Sequence, residues 1–168
     1  MQKAIVLYNS RTGNTKKVAM KIAEGLGAEC QNNKNIPDLK DYQLVAVGTW
    51  VMMGKISPAG QRYLKKLHQK HIAGKKIVLF MTSSAPGNIH PATENTGNPK
   101  TIYEVTFEAM EQILTMKDKV TILPERFYAF GATKIFKIGR VVDGFGHPTE
   151  EELAQAKAFG AKLKQQLK

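Results

Sequence analysis

Short apolar runs alternate with amphipathic stretches along this chain, and that alternation predicts strands and helices in turn. Three runs are continuously apolar, and they lie at 4–8, 44–47 and 77–81. Strands that are buried on both faces of a sheet have this composition. A weaker run at 28–31 predicts a short second strand, and 120–123 and 127–130 are predicted to be extended segments that Pro124 separates.

Helical spacing and helix-start residues predict helices between the strands. Apolar side chains recur at helical spacing after the first strand, at Val18, Ala19, Ile22, Ala23 and Leu26. Ser57 and Pro58 form a cap and first-turn pair, and Thr101 and Thr149 each start a capping box. Since parallel strands need crossovers and these are right-handed, the pattern predicts a doubly wound α/β sandwich of one domain, residues 1–168.

Composition narrows the class of protein further. An apolar content of 42% and a charged content of 23% are ordinary for one globular domain of 168 residues. The single cysteine, Cys30, excludes an internal disulfide and a cysteine-based zinc site. His68 and His71 are expected one turn apart on the second helix, without a third metal ligand. The apolar runs are too short to cross a membrane and the start of the chain lacks a secretory signal pattern, so we expect a cytoplasmic protein.

The charge balance is the unusual feature of the composition. With 25 Lys and Arg against 14 Asp and Glu, the formal net charge is +11. Six basic residues and no acidic one lie between positions 62 and 76, namely Arg62, Lys65, Lys66, Lys70, Lys75 and Lys76. Such a run is either a solvated helix face or a surface that attracts an acidic protein or an anionic membrane. No recognition motif or aromatic array favours sequence-specific binding of nucleic acid.

The loop after the first strand has the chemistry of a phosphate site. Doubly wound sheets bind ligands outside the carboxyl ends of their strands, where the strand order reverses. Residues 10–15 read Ser-Arg-Thr-Gly-Asn-Thr and lead directly into the first helix. Their hydroxyls and the free amides at the helix start can donate to the oxygens of one phosphate. The alternative is that they only cap the helix; Walker and dinucleotide motifs do not match.

The same segment resembles a known family. Residues 6–19, Val-Leu-Tyr-Asn-Ser-Arg-Thr-Gly-Asn-Thr-Lys-Lys-Val-Ala, resemble the phosphate-binding signature of the flavodoxins. The resemblance implies a three-layer sandwich with a five-stranded parallel sheet of order 2-1-3-4-5. It also implies a redox protein with non-covalently bound FMN, whose phosphate would be held in the loop that contains Ser10, Arg11, Thr12, Gly13, Asn14 and Thr15.

The resemblance also implies that two further loops surround the flavin ring. The loop after the strand at 44–47 would contribute Thr49, Trp50, Val51, Met52 and Gly54. An indole can stack on a flat conjugated ring, although a lone tryptophan often packs in a core instead. Met52 and Met53 either pack around the ring or fill the core. The loop after the strand at 77–81 would meet the pyrimidine edge through Ser83, Ser84, Ala85 and Gly87.

The chain departs from typical flavodoxins in this last loop. No aromatic residue occurs between Met81 and Tyr103, and Glu94 is the single acidic residue there. A negative charge on the reduced flavin should therefore be better tolerated, and one face of the ring is expected to stay open. His90 either donates to the flavin or is simply exposed. Three functions stay open, namely an electron carrier, a flavin-dependent reductase or oxidase (quinone reductase or protoporphyrinogen-oxidase type), and a flavin-free module that binds a polyanion.

Overall fold

The computed structural model describes residues 3–52, 54–131 and 146–167, in which a sheet lies between two helical layers. Its strands are β1 (Ala4–Tyr8), β2 (Glu29–Asn32), β3 (Leu44–Met52), β4 (Lys55–Ile56), β5 (Lys76–Ser83) and β6 (Thr121–Phe130). Its helices are α1 (Asn14–Leu26), α2 (Pro58–Lys66), α3 (Ile102–Thr115) and α4 (Glu150–Gln165), with 3-10 turns at Leu67–Lys70 and Pro91–Thr93. The doubly wound α/β class is thereby confirmed.

The strand order places the crevice of the fold between β1 and β3. Five strands lie parallel in the order β2-β1-β3-β5-β6, which is the implied order 2-1-3-4-5 when β4 is left out of the numbering. β4 is a two-residue addition, antiparallel to β3, in which Met52 pairs with Lys55. The chain moves outward from β1 to β2 and then returns to β3 on the other side of β1. The carboxyl ends of β1 and β3 therefore flank the switch point, where doubly wound folds bind ligands.

Alternate residues of the central strands supply the two halves of the core. In β1, Ile5 and Leu7 are fully buried against the layer of α2 and α3, whereas Val6 is buried against α1 and α4. The helices α1 and α4 pack with their backbones in contact. A Cβ on Gly160 would lie 2.1 Å from the Ile22 carbonyl oxygen, so α4 has no room there for a larger residue.

The helix starts follow the sequence signals. Ser57 accepts a hydrogen bond from the Gly60 N–H at the start of α2. Thr101 and Thr149 form complete capping boxes at the starts of α3 and α4. The second helix is shorter than the pattern indicated. α2 ends at Lys66, and His71 follows the 3-10 turn with a φ of 60°, so the expected helical pair of histidines is wrong.

Two expected boundaries of strands are also corrected. Residues 49–52, expected in a loop, continue β3, because they pair with β5 or with β4. Pro124 does not separate two segments, since β6 runs from Thr121 to Phe130. The pairing with β5 shifts around Pro124, which sits on the edge strand of the sheet, where its missing N–H is tolerated. No helix within the described ranges is long and apolar enough to cross a membrane.

Candidate functional site

The loop between β1 and α1 presents backbone N–H groups at the switch point that have no intrahelical acceptor. Gly13 is the N-cap residue with a φ of 99°, and its carbonyl accepts the first helical bond, from Lys17 N–H at 3.0 Å. The N–H groups of residues 14–16 therefore have no intrahelical acceptor. Ser10 Oγ accepts the Gly13 N–H at 3.1 Å and closes the loop. The first turn contains no acidic residue, and a Cβ on Gly13 would meet no atom of the described residues within 4 Å, which suits an anion at this helix start.

A buried hydrogen bond attaches this loop to the sheet. Thr15 Oγ1 lies 2.8 Å from Thr82 Oγ1 near the carboxyl end of β5, and the two residues are 1% and 2% exposed. Each hydroxyl has one proton and two lone pairs, so Thr15 retains hydrogen-bonding capacity for a phosphate oxygen. Thr12 is exposed. The bond fixes the first turn of α1 relative to β5.

The end of β6 closes the loop from the other side. Asn14 is 8% exposed, and a Cβ on Gly131 would lie 2.9 Å from the Asn14 Cβ. The Gly131 N–H donates to the Ser83 carbonyl at 3.0 Å, which holds this close approach in place. Any residue larger than glycine at 131 would displace the start of α1.

The aromatic residue predicted to stack on a ligand lies beside the loop. Trp50 is half-buried on β3 and pairs in register with Thr82, so both side chains point to the face of the sheet that α1 covers. The Arg11 guanidinium carbon lies 6.0 Å from the centroid of the Trp50 ring, within the range of a cation–π contact. The structure therefore brings the predicted phosphate donors and the predicted stacking residue together.

The neighbours of Trp50 on β3 take different positions. Thr49 is fully buried, and a Cβ on Gly60 of α2 would lie 3.0 Å from its hydroxyl oxygen. Val51 is buried in the core that α2 and α3 cover. The side chains of Thr49 and Val51 thus face away from the phosphate loop, whereas Met52 is 49% exposed. Met53 lies outside the described residues.

The loop after β5 is held by its own hydrogen bonds. Ser83 is the last, buried residue of β5, and its Oγ accepts the Ala85 N–H at 3.4 Å. The Ala85 carbonyl accepts the Asn88 N–H at 3.2 Å. Ser84 is half-buried and Gly87 is exposed, with no atom within 4 Å of a Cβ placed on it. The small residues of this loop therefore leave space beside the end of β5.

His90 does not occupy the place that the sequence indicated. The expectation of an exposed ring is wrong, since His90 is 6% exposed. Its Nε2 lies 3.0 Å from the Gly54 carbonyl oxygen, and its Nδ1 accepts the Ala92 N–H at 3.1 Å. Both ring nitrogens are thus bonded within the protein rather than directed at a ligand.

Sequence reasoning missed several residues that shape the site. Thr82 and Gly131 were not singled out, although each lies at or just after the end of a strand. Asn9, just after β1, directs its buried amide nitrogen toward Gly60 of α2 and not toward the loop. A polar residue at the carboxyl end of a strand is visible in the sequence and was the available signal. The register that pairs Trp50 with Thr82 cannot be read from the sequence.

The basic run leads away from the site. Arg62, Lys65 and Lys66 are exposed on α2, which starts at the carboxyl edge of the sheet and returns toward the amino edge. Lys76 begins β5 at that amino edge. His68 is packed, with Nδ1 2.5 Å from Asp118 Oδ2. Within the part of the chain that the structure describes, no group of three or more His, Cys, Asp or Glu is placed to hold a metal ion.

A doubly wound sheet whose switch point combines a glycine-containing helix start with an indole is typical of flavodoxin-like proteins. The chain belongs to the flavodoxin domain family, whose model matches residues 5–161. This membership implies a flavin cofactor and a redox function of some kind.

Individual relatives match this chain over about half of its length or at low sequence identity. The flavodoxin-like domain-containing protein BilS of Clostridioides difficile (strain CD3) is 36% identical over 93 residues, which cover 49% of this chain and 48% of BilS. The match thus spans about half the length of that relative. A flavodoxin from the domain Archaea aligns over 99% of both chains with a TM-score of 0.65 and 18% identity. Oxidised Flavodoxin 2 from Bacillus cereus aligns over 98% of this chain and 99% of its own, with a TM-score of 0.66 and 16% identity. These structures share the fold.

Proposed function

We propose that this protein binds FMN non-covalently at the carboxyl edge of the sheet and transfers electrons to a redox partner. The observation that carries the proposal is the position of Trp50 beside the start of α1, where the first N–H groups have no intrahelical acceptor. Ser10, Thr12, Asn14 and Thr15 would hold the phosphate, and Trp50 would contact the ring. Bound FMN would supply the capacity to accept and release electrons.

The charges around the site support a flavin that carries negative charge. Arg11 is exposed beside Trp50, and the first turn of α1 has no carboxylate. Glu94, the single acidic residue between positions 83 and 100, is exposed. A nearby cation lowers the free energy of an anion, whereas a nearby carboxylate raises it. We therefore propose a reduction potential above that of a flavin surrounded by carboxylates.

The same charges support an acidic redox partner. Arg11 and Lys55 are exposed near the carboxyl edge of the sheet, and Arg62 is exposed on α2. None of the three forms an ion pair with a carboxylate in residues 3–52, 54–131 or 146–167. Complementary charge accelerates association, and salt screens this attraction. The rate of electron transfer to an acidic partner should therefore fall as ionic strength rises.

The cofactor assignment is tested by the visible spectrum of the purified protein. The expected result is a flavin spectrum, with FMN released on denaturation and taken up again after refolding. A colourless protein that takes up no added FMN would overturn the proposal. If that protein bound a polyanion through its basic residues, the flavin-free module would be the better assignment.

A second candidate is a flavin-dependent reductase of a small molecule. Tyr103, the first aromatic residue after the loop that follows β5, stacks on Tyr128 with ring centroids 4.5 Å apart and planes 5° apart. Because that ring is engaged with β6, it is not available to cover the flavin, which favours access for a substrate. Reductive titration separates the two candidates. Electron uptake in two separate one-electron steps favours a carrier, whereas direct two-electron reduction by NAD(P)H favours a reductase.

A further inference from the structure

The β3–β4 hairpin packs on α2, where Ile56 is buried and Gln61 Nε2 donates to the Ile56 carbonyl at 3.3 Å, but it is separated from α3. β4 contributes two residue pairs to the sheet, Val51 with Ile56 and Met52 with Lys55. On the side of α3, a groove of about 400 Å³ separates the hairpin from the helix, and Gly54, Ile56, Thr106 and Ala109 are among its lining residues. Packing against α3 therefore does not hold the turn. Its position matters for the candidate site because Trp50 lies only four residues before Gly54.

The His90 side chain lines this groove and reaches the turn. His90 Nδ1 accepts a hydrogen bond from the Ala92 N–H, so the ring proton is on Nε2 and is donated to the Gly54 carbonyl at 3.0 Å. Gly54 has a φ of 75°, and a Cβ there would lie 2.8 Å from His90 Cδ2. Both the backbone conformation and the close approach of the imidazole therefore require glycine at 54.

His90 is itself fixed to the start of α3. Its N–H donates to the Lys100 carbonyl at 2.8 Å, and the Thr93 hydroxyl lies 3.0 Å from the His90 carbonyl oxygen. The Thr93 hydroxyl also accepts the Lys100 N–H at 2.9 Å. Residue 100 directly precedes the capping box of Thr101, so the loop of His90 is closed on a stable helix end.

We propose that His90 is a positioning residue that clamps the β3–β4 turn to the loop after β5 and so holds the end of β3, with Trp50, in place for the flavin ring. The proposal rests on the FMN site proposed above. It deepens that proposal because one hydrogen bond, from His90 to Gly54, would set the distance between two of the three loops around the cofactor. His90 acts through Gly54 and does not contact the flavin.

His90 makes two side-chain hydrogen bonds: the clamp, which is the bond to the Gly54 carbonyl, and the cap, which is the bond from the Ala92 N–H. Two substitutions at position 90 separate them. In His90→Asn, the amide oxygen can replace Nδ1 as acceptor for Ala92 N–H, but the side chain is too short to reach Gly54. In His90→Gln, the amide nitrogen can replace Nε2 as donor to Gly54, but the cap is lost. Each variant loses one hydrogen bond, so a general loss of stability would affect both alike. His71→Asn, an exposed histidine outside the site, is the matched control.

The first readout is the dissociation constant of FMN, measured with the FMN-free protein by quenching of flavin fluorescence. We expect His90→Asn to raise the constant roughly tenfold, the effect of losing one buried hydrogen bond, and His90→Gln to restore affinity to within about threefold of the wild type. Equal affinity in both variants, whether both are weakened or both unchanged, would overturn the proposal.

The second readout does not depend on FMN. In the FMN-free protein, amide hydrogen exchange of residues 54–56 should be roughly tenfold faster in His90→Asn than in His90→Gln or His71→Asn. Equal exchange rates in all three variants would overturn the clamp. Failure of the wild type to bind FMN would overturn the proposed function instead, and the exchange comparison would still decide whether His90 holds the turn.

Discussion

The guanidinium carbon of Arg11 lies 6.0 Å from the centroid of the Trp50 ring, so a cation of the phosphate loop covers the indole on β3. An exposed cation–π contact of this kind contributes about 0.5–1 kcal/mol. That free energy is small compared with stacking of a flavin ring, so the contact can give way to a ligand. Arg11 would then remain beside both the phosphate and the ring.

Arg11→Gln should weaken FMN binding several-fold and reduce the dependence of the dissociation constant on salt. The reason is that one cation fewer attracts the phosphate dianion, so less electrostatic attraction remains for salt to screen. The measurement is FMN affinity at several ionic strengths. Lys66→Gln is the control, because it changes the net charge equally at the far end of α2. The same salt slope in both variants would contradict a local role for Arg11.

The buried pair Thr15 and Thr82 should behave as a coupled unit in a double-mutant cycle. Thr82→Val leaves the Thr15 hydroxyl without its partner 2.8 Å away and should lower the free energy of unfolding by about 1–3 kcal/mol. Adding Thr15→Val should recover part of that loss, since no unpaired hydroxyl remains. The measurement is urea denaturation of all four proteins.

FMN affinity separates the roles of these two threonines. Thr15→Val removes a hydroxyl of the phosphate loop and should weaken FMN binding more than Thr82→Val does. Equal FMN affinity in the wild type and in Thr15→Val would remove Thr15 from the phosphate site.

Gly131→Ala should weaken FMN binding and lower stability together. The added methyl would lie 2.9 Å from the Asn14 Cβ, so the start of α1 must shift, and overpacking of this kind costs about 1–3 kcal/mol. Gly97→Ala is the matched control, because a Cβ at 97 meets no atom within 4 Å. Thermal unfolding and FMN titration of both variants test the prediction. Unchanged FMN affinity in Gly131→Ala would show that the phosphate loop does not depend on this contact.

The ion pairs of Glu24 should make the α1–α4 contact sensitive to acid. Hydrogen bonds from Lys157 and then Lys21 lower the pKa of Glu24 from 4.5 to about 2. The unfolded chain therefore binds more protons between these two pH values, and the stabilisation that is present above pH 4.5 is lost as pH falls toward 2. Glu24→Gln should lower the melting temperature at pH 7, and its difference from the wild type should shrink as pH falls from 4.5 toward 2. A constant difference across this range would contradict the shift.

Cys30 should be slow to react with thiol reagents while the protein is folded. Burial raises the pKa of its thiol from 9.0 to about 11, opposed by the charge of Lys16. At pH 8 the thiolate fraction is then roughly 100-fold smaller than in the unfolded chain, and the thiolate is the reactive form. The rate of modification in buffer and in urea tests this. Equal rates under the two conditions would refute the burial of the sulfur.

Local signals in the sequence predicted the elements well because their physics is local. Thr101 and Thr149 cap the helices that they were expected to cap, since a hydroxyl bonds an N–H three residues away whatever the rest of the chain does. The apolar run at 44–47 predicted a strand, but not that it continues to Met52. That extension depends on hydrogen bonds to β5 and β4, which the sequence does not display.

The candidate site likewise combines features that the sequence shows with contacts that depend on the tertiary structure. The sequence by itself determined the chemistry of the loop proposed to hold the phosphate, because its glycine, hydroxyls and helix start are adjacent along the chain. Only the tertiary structure decided what surrounds it: Thr15 meets Thr82, His90 reaches Gly54, and Asn14 packs against Gly131. These partners are far apart in sequence, and the register of the parallel strands and the closure of the loops bring them together. The alternation of side chains along β3 likewise directs Trp50 toward the loop and Thr49 and Val51 away from it, since successive residues of a strand face opposite sides of the sheet.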